Sequence, residues 1–308
     1  MEEKLLNVSS SPHVRDHSST KSIMRDVVIA LLPAALVGIY NFRLSAVLVI
    51  LTTCVTCMLS EYIWQKCMKQ PVTTGDFSAL LTGLLLALNL PATIPLWMCV
   101  VGGVFAIIVA KQMFGGLGQN FMNPALAGRC FMMLSFSSAM TSFTVKKGAA
   151  YMYGVAVDAT SSATPLAQVK EGGLPDLKAM FLGTTTGTIG ETSVAALLIG
   201  AIYLLAKRII DWKIPVVYIL TFSVFDIAYQ MAAGNAAYPL VYELCGGGLI
   251  LGAFFMATDY VTSPITAKGK VIYGILLGLL TGLFRFFGES AEGVSFAIII
   301  ANVCVPLI

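Results

Sequence analysis

Charge is scarce in this chain. Lysine, arginine, aspartate and glutamate make up 11% of its 308 residues, less than half the ~25% of soluble domains. That argues against a soluble enzyme, and a net charge of +3 gives no reason to expect a nucleic-acid partner. Histidine is nearly absent. His13 and His17 both lie in the polar stretch at the start, so a His-ligated haem or a His-type zinc or copper site inside the apolar regions is not expected. Redox chemistry, if present, must use a cofactor that needs no such ligand. The first 22 residues have no apolar core of the signal-peptide kind, so no cleavage is expected there. Cysteine is present but poorly placed for disulfides: of Cys54, Cys57, Cys67, Cys99, Cys130, Cys245 and Cys304, all but Cys67 lie in or beside apolar runs, which speaks against a disulfide framework. The C-x-x-C spacing of Cys54 and Cys57 falls inside an apolar helix. There, positions i and i+3 share a face, so the pair reads as small residues on a packing surface.

What the chain does have is apolar sequence, 57% of it, with a mean hydropathy of +0.84. The fold class expected is an all-α integral membrane protein. Ten spans are read at about 24–41, 44–64, 77–90, 92–110, 122–136, 191–207, 214–231, 239–257, 270–285 and 290–307. Several are shorter than the ~20 residues of a straight crossing, which is tolerated where a broken helix faces protein or a cavity. With the N-terminus in the cytoplasm, twelve of the nineteen lysines and arginines fall inside, six outside, and Arg129 within a span; four of the outside six share one long loop, which the positive-inside rule discounts. Residues 1–22 are then a cytoplasmic tail, 23–136 a first five-helix repeat, 137–190 a long extracytoplasmic loop and 191–308 a second repeat. An odd number of spans per half inverts one half against the other, as in many transporters. The segments Asn89–Thr93 and Phe114–Gly116 echo Asp259–Pro264 and Phe287–Glu289 in order and spacing.

The loop at 137–190 exceeds the usual connection length, and it holds Asp158-Ala159-Thr160-Ser161-Ser162-Ala163-Thr164-Pro165-Leu166. By local chemistry this is a cap and turn: Asp158 or Ser161 can cap a helix starting near Pro165, and the residue before a proline is held extended. The same residues also resemble the D-x-x-(S/T)-x-A-T signature at which a flavin transferase esterifies FMN phosphate to a threonine hydroxyl. Ala159 and Ser162 stand where that motif usually has glycine. Asp158, Ser161 and Ala163 would form the recognition sequence, and Thr164 the attachment point. A threonine hydroxyl is a weak nucleophile without a base beside it, so attachment needs the separate transferase.

Three further segments carry the same resemblance: Phe114–Ala125, Gly252–Asp259 with Ser263-Pro264, and Phe284–Gly288 with Glu292-Gly293 and Ser295-Phe296-Ala297. Together they cover essentially the whole chain. It resembles the RnfD/NqrB family, whose members are the D subunit of the Rnf ferredoxin:NAD⁺ oxidoreductase complex and the B subunit of the sodium-pumping quinone reductase. Its length and short polar N-terminus sit nearer the Rnf branch. The resemblance implies a urea-channel-like fold and a protein not catalytic by itself. It further implies FMN bound covalently at Thr164 on the outer face of a bacterial or archaeal cytoplasmic membrane, a second noncovalent flavin of the riboflavin type, and export of Na⁺ or H⁺ coupled to electron flow. The implied partners are the other members of a six-subunit complex, which carry iron–sulfur clusters, FMN and the NAD site, together with the transferase and membrane lipid.

Ionisable groups at membrane depth are functional candidates by default. Arg129 either holds a reduced anionic flavin or a carboxylate with its planar donors, or snorkels to the interface. Asp226, mid-span, either binds a cation on an ion path or bonds to neighbouring helices. Glu61 and Glu243 sit nearer span ends, where a structural role is expected. Gly115, Gly116 and Gly118 follow no strand and so do not form a dinucleotide fingerprint; they fit a broken helix whose amides meet a ligand. Asn120 and Asn123, with Thr258 and Asp259 from the other half, are assigned to that second ligand site. The rival reading is a urea-channel-like permease without a redox cofactor, which has no use for a flavinylation sequence.

Overall fold

The structure is a computed structural model, and it describes residues 19–143, 164–170, 173, 175–183, 185, 187–233, 240–288 and 293–308. All regular structure among them is helical. Helix α1 (Thr20–Phe42) starts on Ser19, whose hydroxyl accepts the Ser22 N–H at 3.2 Å. It turns straight into α2 (Leu44–Cys67) through one residue, Arg43, in the left-handed region at φ 53°. The first half continues with α3 (Ser78–Leu88), α4 (Leu96–Val104), α5 (Pro124–Ser135) and the short α6 (Ser137–Met140). In the expected outer loop the described residues form α7 (Pro165–Lys170) and α8 (Leu177–Leu182). The second half holds α9 (Val194–Ala206), α10 (Lys213–Ala232), α11 (Leu240–Cys245), α12 (Leu249–Leu251), α13 (Ala267–Phe287) and α14 (Val294–Cys304).

Among the described residues, five helices are long and apolar enough to cross a membrane: Thr20–Phe42, Leu44–Cys67, Leu96–Phe114, Lys213–Ala232 and Ala267–Phe287. Three more apolar helices, Ser78–Leu88, Val194–Ala206 and Val294–Leu307, are shorter. The expected span 122–136 is the 12-residue α5, about 18 Å long. The expected span 239–257 is broken at Gly247 and Gly248, both in the left-handed region. Outward positions such as Leu36, Ile202, Leu220 and Val224 are exposed and apolar, the surface that lipid requires.

Small residues set how closely the helices approach. A methyl group on Gly83 of α3 would lie 2.8 Å from the Cys54 Cα of α2, and one on Gly200 of α9 would collide with the Ala30 carbonyl oxygen of α1. The latter contact joins the two halves. Cys54 and Cys57 are buried in these packing faces, with Cys57 Sγ 3.8 Å from the Gly103 carbonyl, as the small-residue reading of their spacing expects.

The halves share a backbone feature that sequence does not reveal. Helix α4 runs into a π-helical turn at Phe105–Val109, and α12 into another at Gly252–Met256. Each is closed by an alanine amide, Ala110 N–H to Phe105 C=O at 3.2 Å and Ala257 N–H to Gly252 C=O at 2.8 Å. A polar segment follows each π turn, after residues 110 and 257. Such π turns occur often at functional sites, and both of these end at the same cavity.

Candidate functional site

Below the two π turns lies an internal cavity of about 70 Å³. It takes Lys111, Asn120 and Asn123 from the first half, Thr258 and Asp259 from the second, and Ser78 from the start of α3; Leu81, Leu85, Phe254 and Phe255 are among its apolar walls. Asn120, Asn123, Thr258 and Asp259, four of the five residues assigned by sequence to a second flavin, thus line one space, and Arg129, the fifth, does not. Between Lys111 and Asn123 the chain bends through Gly115, Gly116 and Gly118, at φ 113°, 92° and 91°, values that side chains other than glycine rarely adopt. Asn123 also has a structural task. Its Oδ1 caps α5 by accepting the Ala125 and Leu126 N–H groups at 3.0 and 3.4 Å, and its Nδ2 reaches the Met256 carbonyl of the second π turn at 3.4 Å. Asn120 Nδ2 donates to the Met122 carbonyl at 3.1 Å. Burial raises the Asp259 carboxyl above the usual carboxylate value, against hydrogen bonds from the Val261 N–H and Thr262 hydroxyl and the charge of Lys111.

A second cavity of about 260 Å³ adjoins the first and shares Ile209, Ile210, Thr258 and Tyr260 with it. The Tyr260 hydroxyl donates to the Ile209 carbonyl, and both residues line both cavities. At its far side Lys270 Nζ meets Asp211 Oδ2 at 2.8 Å. Desolvation pulls the Asp211 carboxyl upward, but the hydrogen bonds from Lys270 and from the Lys213 N–H prevail and hold it below its ordinary value.

Sequence places Lys111 at a cytoplasmic helix end. In the structure it is 1% exposed, two residues past the π turn that ends at Val109. Its ammonium meets Glu61 Oε1 and Ser78 Oγ, each at 2.7 Å, and Gln112 Nε2 donates to the same Glu61 oxygen at 2.6 Å. Ser78 in turn donates to Asp76 Oδ1 at 2.7 Å. Glu61, expected to be structural, forms the other half of a buried ion pair.

Arg129 is not among the residues lining the inner cavity. It is buried, not snorkelling: Nη1 donates to Asn89 Oδ1 at 2.6 Å and lies 3.5 Å from Glu191 Oε1. Glu191 leads to the other expected site. Thr164, at the start of α7 and half-buried, lines a pocket of about 20 Å³ with Glu191, Gly246 and Gly247. The helix starts at Pro165 as expected, whereas Asp158, Ser161 and Ala163 lie outside the described residues.

Arg285, counted by sequence among the outside charges, is also buried. Its Nη1 donates to the Glu243 backbone and side-chain oxygens at 2.6 and 3.0 Å, and its Nη2 to the Gly246 and Gly247 carbonyls at 2.9 and 3.3 Å. Phe222 stacks beneath the guanidinium at 4.9 Å. Asp226 is buried beside this group, and Gln230 Nε2 lies 3.5 Å from its Oδ1. Sequence reasoning misses Lys111 and Arg285 as site residues. The available signal is a lone cation next to apolar residues (Val109-Ala110 before Lys111, and Leu283-Phe284 with Phe286-Phe287 around Arg285).

Comparison with known proteins places this geometry in context. Residues 7–308 match the NQR2, RnfD, RnfE family. The chain is similar to the D subunit of the Na⁺-translocating ferredoxin:NAD⁺ oxidoreductase complex of Acetobacterium woodii, 47% identical with 100% of this chain and 94% of the relative covered. It is similar to the D subunit of the proton-translocating ferredoxin:NAD⁺ oxidoreductase complex of Clostridium ljungdahlii at 42%, covering 100% and 95%. It is also similar to the D subunit of the ion-translocating oxidoreductase complex of Aliivibrio salmonicida at 35%, covering 98% and 95%. A match along essentially its whole length means that the chain belongs to the NQR2, RnfD, RnfE family.

Proposed function

We propose that this protein is the electron-carrying membrane flavoprotein subunit of an ion-translocating ferredoxin:NAD⁺ oxidoreductase complex, with FMN esterified to Thr164. The observation that carries the reading is the full-length family match, in a chain whose Thr164 stands in the sequence D-x-x-S-x-A-T-P. The chain crosses the membrane ten times as two inverted five-helix halves, with its N-terminus in the cytoplasm and Thr164 outside. Iron–sulfur clusters, FMN and the NAD site reside on partner subunits, and a flavin transferase performs the attachment. The relatives' names divide between Na⁺ and protons, so the exported ion is one of these two.

The residues at Thr164 suit a tethered group. The threonine lines a shallow pocket, and Pro165 restricts the backbone beside it. A pocket of about 20 Å³ has room for the point of attachment and not for a flavin ring system. Bound flavin supplies one- and two-electron transfer. Glu191 with Arg129, and Arg285 with Glu243, keep the charge near the attachment point balanced.

A second, noncovalent flavin of the riboflavin type fits the inner cavity. Asn120, Thr258 and Asp259 offer donors and acceptors, and Phe254 and Phe255 offer apolar walls. The inner cavity alone is smaller than the ~300 Å³ at which ligand pockets begin, but with its 260 Å³ neighbour the space suffices.

The test is co-expression with a flavin transferase, followed by a denaturing gel viewed under ultraviolet light and mass analysis of the peptide spanning Thr164. A fluorescent band that Thr164→Val abolishes, with membrane insertion intact, is the expected result. An unmodified peptide from transferase-positive cells refutes the covalent assignment.

A further inference from the structure

We propose that Lys111 is the cationic hydrogen-bond donor of the inner cavity, reserved for a ligand that gains negative charge on reduction. The inference rests on reading that cavity as the noncovalent flavin site, and it adds a residue that the sequence placed outside the site.

An ammonium has three N–H donors and no acceptor. Among the described residues, two of those on Lys111 go to Glu61 Oε1 and Ser78 Oγ, each at 2.7 Å. The third has no acceptor there, and Lys111 lines the cavity. A buried donor left without a partner is costly, so a ligand atom accepting from it recovers that cost. Glu61 is equally incomplete: Oε1 accepts from both Lys111 and Gln112, while Oε2 is buried with no partner among the described residues. The pair therefore holds its charges by one carboxylate oxygen and keeps the ammonium turned toward the cavity.

The charges around the cavity fix the sense of the effect. Lys111 and Glu61 neutralise each other at 2.7 Å, Asp76 lies behind Ser78, and Asp259 is the carboxylate on the opposite half. With the ligand neutral, Lys111 is balanced by Glu61. With the ligand reduced and anionic, Lys111 is the one cation lining the cavity among the described residues. An ammonium attracts an anionic acceptor more strongly than a neutral one, and more so away from bulk water, so Lys111 favours the reduced form over the oxidised form. Asp259 suits the complementary task of accepting from a ligand N–H, as an imide edge with flanking carbonyls presents.

The experiment uses the purified complex, stripped of noncovalent flavin, with riboflavin as probe. Its affinity is measured by anaerobic equilibrium dialysis in the oxidised and dithionite-reduced forms. In the Lys111→Gln/Glu61→Gln double variant, which removes both charges together, the preference for reduced over oxidised riboflavin falls about tenfold. A purely structural role weakens both forms alike and leaves that ratio unchanged, which overturns the proposal. Retained covalent flavin and an unchanged elution profile establish that the variant is folded. Should it not fold, Ser78→Ala decides: it removes one competing acceptor and keeps the cation, so the ratio rises, and an unchanged or lower ratio overturns the proposal. Wild-type complex that binds riboflavin in neither form refutes the cavity's assignment itself, an outcome distinct from failure of the role given to Lys111.

Discussion

Replacing Arg285 by methionine removes the cation from a buried, heavily hydrogen-bonded site of the second half. The side chain is 1% exposed and serves four acceptors: the carboxylate and carbonyl of Glu243 and the carbonyls of Gly246 and Gly247. The substitution leaves the Glu243 carboxylate buried beside Asp226 without its counter-charge, and leaves the carbonyls at the break between α11 and α12 without donors. Breaking a buried ion pair on one side costs about 3–5 kcal/mol, and this site lies at the upper end because backbone acceptors are stranded too. Removing the carboxylate as well, in Arg285→Met/Glu243→Gln, eliminates the uncompensated charge. That double variant returns to within about 3 kcal/mol of wild type, the remainder being the three orphaned carbonyls at ~1 kcal/mol each. Unfolding in mixed micelles by titration with a denaturing detergent, followed by far-ultraviolet circular dichroism, measures the three proteins side by side. A single variant within about 0.5 kcal/mol of wild type, the range of an ordinary surface change, refutes the picture of a guanidinium holding the broken helix together. So does a double variant no more stable than the single.

Other expectations concern packing and surface. Gly83→Ala forces a methyl against the Cys54 backbone at 2.8 Å and destabilises by about 1–3 kcal/mol. Gly75→Ala, where nothing lies within 4 Å of the added atom, stays within about 0.5 kcal/mol; equal effects in the two contradict the close approach of α2 and α3. In folded protein a maleimide labels Cys67 quickly, while Cys54, Cys57, Cys99 and Cys130 are buried and react only on unfolding; labelling of Cys57 at the rate of Cys67 counts against the helix packing. For the partly exposed Asp211–Lys270 pair, the folded carboxyl lies below its ordinary value, so its contribution is complete above the unfolded pKa of about 3.9. It is lost as pH falls through the lower folded value. Asp211→Asn removes about 0.2–1 kcal/mol near neutral pH and almost nothing at the acid end, and a loss of equal size at both ends refutes the assignment.

The parts of this fold legible in sequence are those set by composition along a single segment. Helices α1, α2, α10 and α13 lie close to where apolar runs put them, because a long apolar stretch in lipid must satisfy its own backbone as helix. The start of α7 at Pro165 is legible because proline tolerates the first helical turn and little beyond it. Asn120, Asn123, Thr258 and Asp259, which line one cavity, can be grouped from sequence because polar residues beside glycine and proline breaks stand out in an apolar chain. The end of the fourth span is not legible in the same way. Lys111 looks like a terminus, whereas Glu61 and Ser78, fifty and thirty-three residues away, provide the partners that let a lysine be buried.

The same division holds for the chemistry. Composition alone determined that this is a helical membrane protein, and local spacing pointed to Thr164, since both follow from what one segment can do by itself. Tertiary structure decided which charges are buried. A cation's cost inside the protein depends on the carboxylate that faces it, and the partners of Lys111, Arg129 and Arg285 come from other helices, at separations in sequence that no local pattern encodes. It also decided that two π turns, distant along the chain, converge on one cavity, because only the packing of the two halves brings their polar ends together.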